Sequence, residues 1–151
     1  MSGLMSTATN QPGPVTGTDD ALFGIIEKMQ SKYRPEKAKA WGSFLDAGTG
    51  AHSLQWVRKL PLESWVAVTA DKGMQATVEK ELATPVAGET AAGRIVLGNW
   101  DDGDLLVGEA YDVVLADYLI GARGRRRRRW WWRCWVEFEV LGRYSCVNSP
   151  L

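Results

Sequence analysis

Three aspartates stand at the tips of short apolar runs: Asp46 after Phe44 and Leu45, Asp71 after Trp65–Ala70, and Asp117 after Tyr111–Ala116. A carboxylate at the end of a buried strand faces the crevice beyond the sheet, where it can accept hydrogen bonds from sugar hydroxyls or an amine. Between the first two acids, Asp46-Ala-Gly48-Thr49-Gly50 leads into a helical pattern from Ala51. Gly48 and Gly50 can take φ > 0 and let a ligand approach the backbone. The first N–H groups of the following helix lack partners inside it, so they can receive an anion. Asp71 follows this turn by roughly 20 residues, a spacing that suits an acid for ribose hydroxyls. It can also cap the next helix, and the two roles can coexist. His52, the only histidine, falls in the first helical turn, where the helix dipole favours the neutral ring. There it can reach a ligand carboxylate or a substrate proton. The chemistry these residues describe is a nucleotide-like cofactor cradle.

The elements that must position them alternate. Asp19 and Asp20 cap a helix running to about Tyr33, with Leu22, Ile25, Ile26, Met29 and Tyr33 as one inward apolar stripe. Arg34-Pro35 ends it. A strand at Phe44–Ala47 is followed by a helix over about 51–59 with Leu54, Val57 and Leu60 inward. The run Trp65–Ala70 reads as a parallel strand buried on both faces. A helix at Met74–Leu82, with Met74, Val78 and Leu82 inward, a loop at 84–93 and a strand at Arg94–Gly98 follow. After a polar loop beginning Asn99-Trp100-Asp101, Tyr111–Asp117 is a fourth strand. The fold class expected from these elements is α/β with a mostly parallel sheet.

The dinucleotide fingerprint G-x-G-x-x-G requires a third glycine where Ser53 stands, so that motif fails. The pattern D-x-G-x-G at Asp46–Gly50 instead resembles the first motif of the class I S-adenosylmethionine-dependent methyltransferases. The resemblance covers Phe44 to Gly121, four strands with the cofactor-side motifs in order, and implies a doubly wound, Rossmann-like sheet of order 3-2-1-4 with strand four left as an edge. It implies methyl transfer from S-adenosyl-L-methionine to an unidentified acceptor. The implied cofactor contacts are Asp46, Gly48, Thr49, Gly50 and His52 around the methionine end, and Asp71 at the ribose. Asn99, Trp100 and Asp101 would hold the adenine, and Asp117 would lie near the methionine amine or act as a base. Asp117-Tyr118-Leu119-Ile120 lacks the two prolines of amine-methylating relatives, so transfer to a nucleobase or glutamine amide is not supported. No catalytic residue is singled out, because an activated sulfonium needs mainly positioning. A complete domain of this family continues past the fourth strand; the expectation is therefore a truncated, marginally stable cofactor half, with its activity left open.

Composition divides the chain into a tail (1–18) rich in Ser, Thr, Gly and Pro, a cofactor-binding half-domain (19–122), and a basic, aromatic tail (123–151). Residues 1–122 carry ten Lys/Arg against sixteen Asp/Glu, a net charge of −6, while residues 123–151 carry +6 and half of the eight tryptophans. Arg123–Trp135, RGRRRRRWWWRCW, admits three readings: polyanion binding to RNA or an anionic membrane, a solvated basic tail, or a shifted frame or unspliced intron. The first supplies the rival function, a non-enzymatic polyanion-binding protein. Trp135–Tyr144 alternates enough to pair as a strand. Both cysteines, Cys134 and Cys146, lie in this tail and form no metal or redox spacing. Nothing is long and apolar enough to span a membrane, and the N-terminus has no secretory signal pattern. A cytoplasmic location is expected, with organelle import left open.

Overall fold

The computed structural model describes residues 15–37, 39–89, 91–116 and 144–145. Helix α1 (Ala21–Tyr33) and a 3-10 turn (Pro35–Lys37) precede strand β1 (Gly42–Ala47). Helix α2 (Ala51–Val57), β2 (Leu62–Thr69), α3 (Lys72–Leu82) and β3 (Ala92–Leu97) follow in alternation. Two short strands, β4 (Ala110–Tyr111) and β5 (Val113–Leu115), stand where one fourth strand was expected, and β6 is Tyr144–Ser145. The fold is α/β, with a four-stranded, all-parallel sheet of order β3-β2-β1-β5.

Side chains alternate across this sheet, as period-2 geometry requires. Phe44, Trp65, Ala67, Ile95 and Val113 point to one face, where Phe23 of α1, Leu54, Trp56 and Val57 of α2, and Val78 of α3 pack on them. Leu45, Ala47, Val66 and Val68 point to the other, under Leu106, Tyr111 and the partly buried Trp100 and Leu105. All three helices therefore cover one face. Turns between Asn99 and Glu109 cover the second, with no helix among the described residues, so the doubly wound arrangement is not shown.

The expected fourth strand is interrupted at Asp112, which is bound to the first residues of β1. Its carboxylate accepts from the Ser43 amide and hydroxyl, each at 2.9 Å, and Lys37 lies 3.6 Å away. Burial alone would push this carboxyl up; the Ser43 donors and Lys37 outweigh it and hold Asp112 below the ordinary range. Ala110–Tyr111 instead pairs antiparallel with Tyr144–Ser145. Residues 135–143 of the expected tail strand, and the rest of the Arg/Trp tail through 143, lie outside the described residues.

Helix α1 corrects the sequence reading most clearly. Leu22, Ile25, Met29 and Tyr33, expected to face inward, are exposed (51%, 53%, 52% and 64%). The buried face is Phe23, Gly24 and Glu27, with Ile26 partly covered. Phe23 stacks on Trp56 with centroids 4.3 Å apart and planes 5° apart. Glu27 accepts from the Trp56 indole (2.8 Å), the Thr16 amide (3.0 Å) and the Thr16 hydroxyl (2.5 Å). Three donors satisfy a carboxylate that burial would otherwise penalise. Residues 15–18, read with the N-terminal tail, thus belong to the ordered body; residues 1–14 lie outside the description.

Candidate functional site

The carboxyl ends of β1, β2 and β3 open onto one cleft of about 710 Å³. Gly48, Thr49, Gly50, Ala51, His52 and Ser53 form its floor. Thr69, Ala70, Asp71 and Met74 line one wall, and Asn99, Trp100 and Asp101 another. Eight of the ten residues nominated from sequence meet here. Asp46 does not line the cleft, and Asp117 lies outside the described residues.

The floor is fixed by bonds that sequence spacing does not reveal. Gly48 takes φ 100°, so glycine is required there. The amides of Gly48 and Thr49 both donate to the carbonyl of Val68, at 3.0 and 2.9 Å, stitching the turn to the end of β2. Gly50 was expected to share the positive-φ region; its φ of −132° is extended, a conformation any residue adopts. An added Cβ at Gly50 would meet no protein atom within 4 Å. Neither backbone strain nor packing requires a glycine there, and Gly50 stands at the N-cap of α2.

Asp46 is 2% exposed beneath the turn. Its Oδ2 accepts from the Ser53 hydroxyl at 2.8 Å, and the same oxygen of Ser53 accepts from the Gly50 amide at 3.0 Å. Gly50 has no side chain to cap the helix, and Ser53 supplies the reciprocal half of a capping box. The departure from a third glycine therefore has a structural role. Asp46 and Ser53 hold the floor from below, and Asp46 positions the turn rather than facing the cleft.

Asp71 caps α3, its Oδ1 accepting from the Met74 amide at 2.6 Å. Capping fixes this carboxylate at the cleft wall. Helix α3 is held in turn by Arg58, 4% exposed, which binds Glu89 (2.8 and 2.6 Å) and the carbonyls of Glu81 (2.7 Å) and Thr84 (2.9 Å). Met74, expected to pack inward, is 36% exposed and lines the cleft. Asn99 accepts from the Asp101 amide through its side-chain oxygen at 3.0 Å, shaping the third wall. Trp100 packs against the second core and also lines the cleft.

The sequence reading gave no site role to Asp20. This acid caps α1, accepting from the amides of Leu22 (2.8 Å) and Phe23 (3.1 Å) through Oδ1. Its Oδ2 lies 3.7 Å from Nε2 of His52, an ion pair only when that ring carries a proton. The Phe23 ring meets His52 edge-on at 5.3 Å. The cap was legible at Asp20; that the start of α1 lies against the cradle helix was not.

Among the described residues the lining carries three carboxylates, Asp20, Asp71 and Asp101, one histidine, and neither Lys nor Arg. Among the described residues no group of His, Cys, Asp and Glu is arranged to hold a metal, and no helix is long and apolar enough to cross a membrane. No family model matches this chain, and neither does any curated protein or solved structure.

Proposed function

We propose that the cleft binds S-adenosyl-L-methionine and that the chain is the cofactor-binding part of a Rossmann-like methyltransferase with an unidentified acceptor. The observation that carries this reading is the convergence of a glycine turn, Asp71 and the Asn99–Asp101 loop on one cleft whose lining, among the described residues, holds three carboxylates and no Lys or Arg. The cofactor's ammonium and sulfonium charges exceed its one carboxylate, so it suits such a lining. A dinucleotide fits less well because its fingerprint needs a third glycine where Ser53 stands. The same serine disfavours a nicotinamide-dependent reductase. The cleft volume also falls within the roughly 300–1,000 Å³ of ordinary small-molecule pockets.

In this reading the first-turn amides of Ala51 and His52 receive the methionine carboxylate. Asp71 accepts from the ribose hydroxyls through the oxygen not used in capping. Asn99 and Asp101 meet the adenine edge, with Trp100 beside its face. When bound, the cofactor supplies an electrophilic methyl group; the residues of this chain orient it and exclude water around it. Asp46 and Ser53 keep the turn in register. The rival function through residues 123–135 concerns a segment outside the described residues, and no structural observation favours it.

Calorimetric titration of the full chain with S-adenosyl-L-methionine tests the reading, with wild type beside Asp71→Asn. Asparagine retains the helix cap and removes the charge. A charge-assisted hydrogen bond contributes roughly 1.5–3 kcal/mol, so affinity should fall about 10- to 150-fold. Absence of saturable binding to wild type, or equal binding by the variant, refutes it.

A further inference from the structure

We infer that the exposed face of α1 is a self-association surface, seating a second copy of this chain with the two α1 helices antiparallel. Leu22, Ile25, Met29 and Tyr33 recur at spacings of three and four and form one stripe along a 13-residue helix, each more than half exposed. The exposure is enforced. Rolling α1 to bury the stripe would strip Phe23 from its stack on Trp56 and remove Glu27 from three hydrogen-bond donors. The apolar arc is therefore wider than the seat that the sheet layer offers.

Charge selects the occupant. The exposed charges of α1 are segregated lengthwise: Asp19 precedes its first turn, while Lys28 and Lys32 occupy its second half. Lys32 lies 5.2 Å above the Tyr33 ring, at one end of the stripe. An antiparallel partner brings the acidic start of one helix beside the basic end of the other, twice, and also opposes the two helix dipoles favourably. Ile25 then falls near the second copy's Met29, and Leu22 near the second copy's Tyr33. A parallel pair would place like charges side by side.

Four half-exposed apolar side chains, with the aliphatic stems of the two lysines, supply on the order of half of the ~800 Å² per partner that a standard interface buries. The expected dimer is thus weak and concentration-dependent. Because Leu22 also lines the cleft, the second copy borders its mouth. This inference does not depend on which ligand the cleft takes.

Analytical ultracentrifugation of the full chain over a wide concentration range tests it. Wild type should pass from monomer to dimer with rising concentration. Ile25→Lys, at an exposed position, should shift the midpoint at least about tenfold upward while circular dichroism shows an unchanged fold. Lys32→Glu alone should weaken the dimer, and Asp19→Lys combined with Lys32→Glu should restore it. A monomer at every concentration overturns the inference, as does a dimer indifferent to Ile25→Lys or a charge exchange without restoration. A monomer whose thermal midpoint falls in Ile25→Lys would show the stripe covered by the chain's own tail, and would overturn it too.

Discussion

Replacing Ser53 by alanine isolates the device that holds the cleft floor. Ser53 is 7% exposed, donates to the buried carboxylate of Asp46 at 2.8 Å and accepts from the Gly50 amide at 3.0 Å. A hydrogen bond to a charged group contributes roughly 1.5–3 kcal/mol. The gain in helix propensity on going to alanine offsets about 0.5 kcal/mol of its loss. The freed Gly50 amide lies at the cleft and can turn to solvent, so it adds little. The net expectation is a loss of about 2 kcal/mol. With a urea slope of about 1–3 kcal/mol per molar, the unfolding midpoint should fall by about 1 M, with the slope unchanged. Ser53→Gly supplies the contrast, because it creates the G-x-G-x-x-G pattern. If the hydroxyl matters as described, glycine should be less stable than alanine by roughly 0.5–1 kcal/mol. A midpoint for Ser53→Ala within about 0.2 M of wild type, or a glycine variant more stable than the alanine one, refutes the reasoning.

Two further outcomes follow from contacts away from the floor. Gly93 lies in register with Trp65 on β2, and a Cβ there would overlap the buried indole ring; overpacking of this kind costs about 1–3 kcal/mol. Gly93→Ala should therefore lower the calorimetric midpoint by about 5–15 °C, and a midpoint equal to wild type would contradict the packing. Asp112 has a folded-state pKa below its unfolded value, through the Ser43 donors and Lys37 working against burial. Its contribution to stability is thus present above the ordinary Asp pKa of about 3.9 and is lost as pH falls through the lower folded value. Urea midpoints measured from neutral pH down to the acid range should decline less steeply in Asp112→Asn than in wild type, and parallel curves would rule this out.

Much of the fold was written locally. The apolar runs ending in Asp46 and near Asp71 specify strands buried on both faces, and the intervening periodic stretches specify helices. Strict alternation then sends Phe44 and Trp65 to one side of the sheet and Leu45 and Val66 to the other. The four-strand order, which no local signal carries and which the family resemblance implied, also matched, with one interruption. Nothing local marked Asp112 as a break, because its partner Ser43 lies at the start of β1, 69 residues away.

The sequence by itself determined the types of the elements, and it offered Gly48 with Gly50 for the positive-φ turn and Asp71 as one reading of the α3 cap, because each depends on backbone sterics or on neighbours within a few residues. Only the tertiary structure decided which of these residues share a cleft. It turned Asp46 inward to Ser53, brought Asp20 to His52, and rotated α1 so that Glu27 rather than Ile25 faces Trp56. Periodicity defines an apolar arc on a helix, but the partners across the gap choose which part of it is buried. A buried indole N–H and two groups of Thr16 fixed that choice in favour of the carboxylate.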